Sequence, residues 1–389
     1  MKKNVSLIGT MVLLLSGISL NTHSDDLVIG KSDGDYGSLK ASGYLRARYQ
    51  DKDYSSNDHK LTFNTAKLDL DYKKSDLFAH AEYRCYQFDK LCDFSALVAG
   101  YVGYQLDKNQ DIKLGLVNVP FGPSRFWESN WYGGINSAIG LEDVHNLGVS
   151  YTFQPLDHTK VDLAYFYKDG GDYFGKSQDS ARYSANLVKS DDPQAPNTKE
   201  KNMFVGRINQ VYKLPGIDQA SFDYGLSYWY SEIKDKSFNQ DGHRQAWSLF
   251  NKFSYHDFAI SIVGGQNTIK LDNGVDYVIV GSFDDTYKVA KKGTFYTVDM
   301  SYVFKNLYHE IDVTPYAMYS SYLKKDSAFA NSTRNIFGVD ISRKNISVIG
   351  EYILGKNDMA IGGNENSLFT GVDQAKTNRL FNLTFLYKF

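Results

Sequence analysis

Arg379 to Phe389 reads RLFNLTFLYKF, and the alternation of this stretch decides the fold. Phe381, Leu383, Phe385, Tyr387 and Phe389 fall on one side of an extended chain, and Asn382, Thr384, Leu386 and Lys388 on the other. A strand turns alternate residues to opposite faces, so one face here is wholly apolar and the other mostly polar. A soluble sandwich and a membrane barrel both use such a strand. The rest of the chain has to choose between them.

The amino end points to export. Met1-Lys2-Lys3 precedes an apolar stretch from Val5 to Leu20 and small residues near Ser19 to Ser24, the layout of a secretory signal peptide. Cleavage is expected after Ser24, with Ser19 as the alternative, leaving 25–389 as one domain. An uncleaved anchor helix is the competing reading, but the stretch is short of the ~20 residues a span needs. No cysteine near the cleavage region suggests a lipoprotein. The chain has 43 Lys and Arg against 45 Asp and Glu, and losing Lys2 and Lys3 makes it still more acidic. That is not the balance of a nucleic-acid binder.

Beyond the leader there is no apolar run long enough for a membrane helix, yet the chain holds 30 Tyr and 24 Phe with only 7 Pro. An exported, aromatic-rich chain of alternating strands fits an all-β transmembrane antiparallel barrel, in which each strand hides half its residues from lipid. The alternation predicts sixteen strands, from 39–49, 61–72, 77–88 and 94–106 through 111–119 and 146–153 to 345–355 and 378–389. An even number places both termini on the periplasmic side. Short connections at 73–76 and 107–110 alternate with long ones at 120–145 and 169–201, as periplasmic turns alternate with outer loops. Aromatic pairs such as Tyr151 with Phe153 and Tyr302 with Phe304 read as girdles at the membrane boundary.

The closing strand resembles that of bacterial outer-membrane barrels, whose last residue is typically phenylalanine. The resemblance implies that Phe385, Tyr387 and Phe389 form a signal read by the barrel assembly machinery. Pro120-Phe121-Gly122, at the end of the fifth strand, resembles the same junction in the sixteen-stranded trimeric porins of Gram-negative bacteria, including the phosphate-selective branch. That resemblance implies an outer-membrane homotrimer surrounded by lipid and lipopolysaccharide, with the loop after the fifth strand folded inward as a constriction. The chain lacks the Pro-Glu-Phe-Gly-Gly motif of enteric general porins.

A sixteen-stranded barrel leaves an aqueous channel, so selectivity has to come from what enters the lumen. The loop 120–145 supplies Arg125, Trp127, Glu128, Trp131, Glu142 and Asp143. Arg46, Arg48, Lys67, Arg84 and Lys113 face it as a basic wall. Acids on the loop opposite bases on the wall set a field across the pore that orients dipolar solutes. The competing reading makes these ordinary polar lumen residues. The loop aromatics either stack sugar rings or pack the loop against the wall. Cys85 and Cys92, with six residues between them in an oxidising compartment, are expected to form a disulfide that holds a short loop.

The expected function is passive diffusion of ions and small hydrophilic solutes. A substrate-selective channel for phosphate, other small anions or oligosaccharides is the alternative, and a non-conducting adhesin or structural barrel the rival class. The sequence shows no G-x-S-x-G or H-E-x-x-H motif, so no catalytic residue, cofactor or metal is expected.

Overall fold

The computed structural model describes residues 27–56, 59–123, 132–171, 182–190, 192–371 and 376–389. The first six strands are β1 (Leu27–Gly30), β2 (Ser38–Lys52), β3 (His59–Lys74), β4 (Leu77–Tyr86), β5 (Phe94–Asp107) and β6 (Gln110–Asn118). A four-residue helix, α1 (Ile135–Ala138), precedes β7 (His145–Leu156), β8 (Thr159–Asp169), β9 (Arg182–Leu187), β10 (Thr198–Lys213) and β11 (Ala220–Asp235). Next come β12 (Gln240–Tyr255), β13 (Phe258–Lys270), β14 (Tyr277–Phe283), β15 (Asp285–Ala290), β16 (Lys292–Tyr302) and its continuation β17 (Phe304–Tyr308). The chain ends with β18 (Ile311–Lys324), β19 (Ser332–Arg343), β20 (Ile346–Lys356) and β21 (Asn378–Lys388).

One antiparallel sheet closes on itself as a barrel of sixteen wall strands, with β1 and β17 as short extensions. The seam joins β2 to β21, from Tyr44 opposite Lys388 to Lys52 opposite Leu380. At its end Gly43 and Phe389 exchange backbone hydrogen bonds, N–H to O at 2.9 and 3.0 Å. A side chain at Gly43 would run first into the Lys67 carbonyl of β3 and then into the Phe389 ring, so this glycine makes room for the neighbouring strand and the terminal aromatic.

Alternation explains the wall. On β2, Arg46, Arg48 and Gln50 are buried inside, whereas Leu45 is exposed on the outside. Leu68, Leu114, Leu163, Leu226 and Leu249 are likewise exposed on the outer face. So broad an apolar outer belt suits lipid and not water. One rim has tight turns in which Ser75, His158, His256 and Lys344 adopt positive φ, as two-residue hairpins require. Aromatic contacts gather at both rims: Tyr165–Phe204 and Tyr296–Tyr319 towards the long loops, Tyr151–Phe153 and Tyr302–Phe304 towards the turns.

The wall strands follow the predicted stretches, but the lumen holds more than the sequence suggests. β9, β14 and β15 form a separate three-stranded sheet from the loops that follow β8 and β13. Ile135 and Leu141 of the 120–145 loop, Leu187, Val280, Val289 and, after β20, Ile361 and Leu368 are buried together with the wall residues Trp229, Phe250 and Phe295. Burying each such side chain stabilises the fold by about 1.5–3 kcal/mol. Four loops therefore build a second core inside the barrel. At its tip Phe283 sits among Tyr86, Phe88, Phe94 and Tyr183, with ring centroids 5.3–6.0 Å away. Alternation alone puts Ala96 on the outer face with Ala41, Ala79, Ala81 and Gly100. A β-bulge between Ala99 and Leu97 reverses the phase, and Ala96 is buried inside with Tyr86 and Val98.

Candidate functional site

The 120–145 loop is fixed by side chains of the wall. Ser227 on β11 accepts the Gly122 N–H at 2.8 Å, and Ser320 on β18 accepts the Ile135 N–H at 2.7 Å. Arg334 on β19 donates to Gly133 O at 2.8 Å, and Arg244 on β12 to Ile139 O at 2.9 Å. Tyr287 on the inner sheet donates to Ala138 O at 2.7 Å. Arg334 is itself held by both carboxylate oxygens of Asp358, at 2.6 and 2.7 Å. Hydrogen bonds from charged donors contribute roughly 1.5–3 kcal/mol each, so the loop is clamped to the far wall.

That clamp leaves a cavity of 430 Å³ between the loop and the strands β2–β4. Arg46, Arg84 and Arg334 line it, together with Glu142, Asp143 and Asp285. Tyr86, Tyr132, Tyr183 and Tyr287 complete the rim. Tyr183 spans the gap between the signs: Arg84 donates to its hydroxyl at 2.8 Å, and the hydroxyl donates to Asp143 at 3.0 Å. Burial raises the Tyr183 phenol well above its ordinary pKa, which keeps it a donor. Asp285 is also raised, by burial and then by Asp284.

Of the expected basic wall, Arg46 and Arg84 line this cavity, and Arg48, Lys67 and Lys113 do not. Arg48 is buried two residues along β2. Lys67 lies 3.2 Å from both Asp69 and Glu82, and Glu82 also pairs with Arg84 at 2.5 Å. Lys113 lies 3.6 Å from Asp111, further towards the turns. From the loop, Glu142 and Asp143 reach the cavity, while Arg125, Trp127, Glu128 and Trp131 lie outside the described residues. Tyr132 packs, accepting a hydrogen bond from Gln50 at 3.0 Å and lying under Arg334. Cys85 and Cys92 are disulfide-bonded, stapling the turn that carries Phe88. Phe385 and Tyr387 share the outer face of the seam strand with Phe389.

Sequence reasoning missed Asp285, Tyr287, Tyr183 and Arg334. The run Tyr277-Val278-Ile279-Val280, followed by Asp284-Asp285, was a hairpin signal. It lacked the polar alternation of the wall because an inner strand is buried on both faces.

No protein-family model and no curated protein matches the sequence. Solved structures do match. The outer membrane channel DcaP of Acinetobacter baumannii aligns with a TM-score of 0.62 at 12% identity, over 93% of this chain and 100% of that one. The anion-selective porin from Comamonas acidovorans gives 0.58 at 13% identity, over 91% and 100%. OmpT of Vibrio cholerae, an outer membrane protein in its trimer form, gives 0.56 at 12% identity, over 91% and 100%. These likenesses define the class of fold: a closed sixteen-stranded antiparallel barrel, similar to that of these outer-membrane channels and porins. At these identities the likeness is one of fold.

Proposed function

We propose that the chain forms a water-filled outer-membrane channel for passive diffusion of ions and small hydrophilic solutes, reaching the membrane through a cleaved leader at 1–24. The observation that carries this reading is the 430 Å³ cavity lined both by Arg46 and Arg84 of the wall and by Glu142, Asp143 and Asp285. Opposed charges in a narrow lumen orient dipolar solutes and select among ions. A structural barrel has no need of such a gap. The small volume and the tyrosine rim favour a substrate-selective channel over a wide general pore. Purified protein in planar bilayers should give discrete conductance steps, with ion substitution reporting selectivity. Protein that inserts and never conducts would support the adhesin or structural reading instead.

A homotrimer is proposed with it. Ala41, Ala79, Ala81 and Gly100 put small side chains on the outer face of β2–β5, which lets barrels approach closely, as small residues do for helices in membranes. Ala81→Trp should yield monomer in mild detergent where the native chain gives trimer. A native chain that is already monomeric rejects the idea.

A further inference from the structure

Beside the charged cavity, the inner face of β3 and β4 carries an imidazole among carboxylates. Register pairs Asp69 with Glu82 and Asp71 with His80, between the pair Lys67–Arg84 and the turn that joins the two strands. Arg84, on the same face, lines the cavity. One imidazole nitrogen of His80 and one carboxylate oxygen each of Asp69 and Glu82 lie within 4.8 Å of one another. Asp69 and His80 are half-buried, and Glu82 is buried.

Two features set this group apart from an ordinary patch of acids. The first is the His80 ring, whose Nδ1 lies 2.7 Å from Asp71 Oδ1. Imidazoles that bind metal ions characteristically have such a carboxylate behind them, which fixes the ring and leaves the other nitrogen for the ion. The second is that Asp69 and Glu82 already converge on a cation. Lys67 Nζ stands 3.2 Å from Asp69 Oδ2 and 3.2 Å from Glu82 Oε2, while Arg84 takes the other oxygen of Glu82. Lys67 also has somewhere else to rest, because its ammonium is 5.8 Å from the centroid of the Tyr44 ring. Asp69, Asp71 and Glu82 outnumber Lys67 and Arg84 here, so the patch tolerates added positive charge.

We propose that Asp69, His80 and Glu82 bind a divalent transition-metal ion of the zinc class, with Asp71 positioning His80 and Lys67 as the cation that the ion displaces. One imidazole with two carboxylates suits such an ion, whereas calcium and magnesium take oxygen ligands. Three protein donors leave the fourth position to water, unlike the closed four-donor sites that staple a fold. The binding goes beyond the channel reading and does not depend on it.

The test is a calorimetric titration of full-length protein in detergent, stripped with chelator and then given Zn2+ or Ca2+. Each variant is first shown to keep the heat-resistant folded band. The native chain should bind one zinc per chain at this site, more tightly than calcium, and His80→Gln should lose it. Asp71→Ala should weaken zinc binding about 10–100-fold, and Asp71→Asn, which can still accept from the imidazole, should recover part of the loss. Lys67→Gln should bind zinc more tightly than the native chain, a gain that a folding defect cannot mimic. His59→Gln, which removes the exposed imidazole 3.7 Å from Asp51, should bind as the native chain does. Native-like binding by His80→Gln, equal loss in His59→Gln, no gain in Lys67→Gln, or calcium bound as tightly as zinc overturns the proposal. A chain that binds zinc through His80 and never conducts leaves this site standing and removes the channel reading. One that conducts and fails the titration keeps the channel and loses the site.

Discussion

Asp285 is the residue at which solution pH should meet the cavity. Its carboxyl is raised by burial and then by Asp284, so the folded chain binds this proton more tightly than an unfolded chain does. Between the ordinary aspartate value and the raised one, the native state holds more protons, and stability falls as pH rises through that window. The same proton acts on permeation. Acidification from neutral should remove the Asp285 charge before that of exposed aspartates, leaving Arg46 and Arg84 less opposed and lowering cation preference. Reversal potentials measured down a pH series should show this shift, and Asp285→Asn should flatten the same part of the curve. If the native and Asp285→Asn curves coincide, Asp285 does not face the permeation path.

At the scale of elements, the hairpin of β14 and β15 and the seam of β2 and β21 are the parts to perturb. Phe283 docks the hairpin tip into the aromatic cage of Tyr86, Phe88, Phe94 and Tyr183, beside the Cys85–Cys92 staple. Truncating a fully buried phenylalanine costs about 3–5 kcal/mol, and the partly buried Phe283 should cost less. Phe283→Ala should loosen the hairpin and raise single-channel conductance while the barrel stays folded. An unchanged conductance would mean that the hairpin does not narrow the path. Gly43→Trp should fail differently, because the ring would occupy the space of Phe389 at the seam. The expected result is a low yield of folded barrel, seen as loss of the heat-resistant folded band in electrophoresis. Gly43 is therefore unsuited to testing oligomer contacts, although it lies on the outer face beside Ala41. The wall strands were legible because lipid on one side and water on the other impose a period of two on each of them. β9, β14 and β15 obey neither solvent, and the bulge that turns Ala96 inward leaves no periodic trace. Arg334 and Arg244 went unread because their roles as clamps depend on carbonyls more than 100 residues away in sequence.

The whole molecule is a sixteen-stranded barrel whose own loops pack into it and leave, among the described residues, a charged gap beside β2 and β4. The gap sets Arg46 and Arg84 against Glu142 and Asp143, with Tyr183 between them. On the proposed channel reading, selectivity is a property of few residues, and stability a property of the many that pack the loops. Charge changes at the gap should alter permeation and leave assembly intact. The effect should shrink with salt, because the Debye length falls from ~10 Å at 0.1 M to ~3 Å at 1 M. The most direct test is the reversal potential across a salt gradient in planar bilayers, for the native chain, Arg46→Ser/Arg84→Ser and Glu142→Gln/Asp143→Asn. The arginine variant should shift towards cations and the acid variant towards anions, both more strongly at 0.1 M salt than at 1 M. Identical reversal potentials in all three chains, each conducting, would contradict the placement of the selective gap at this cavity.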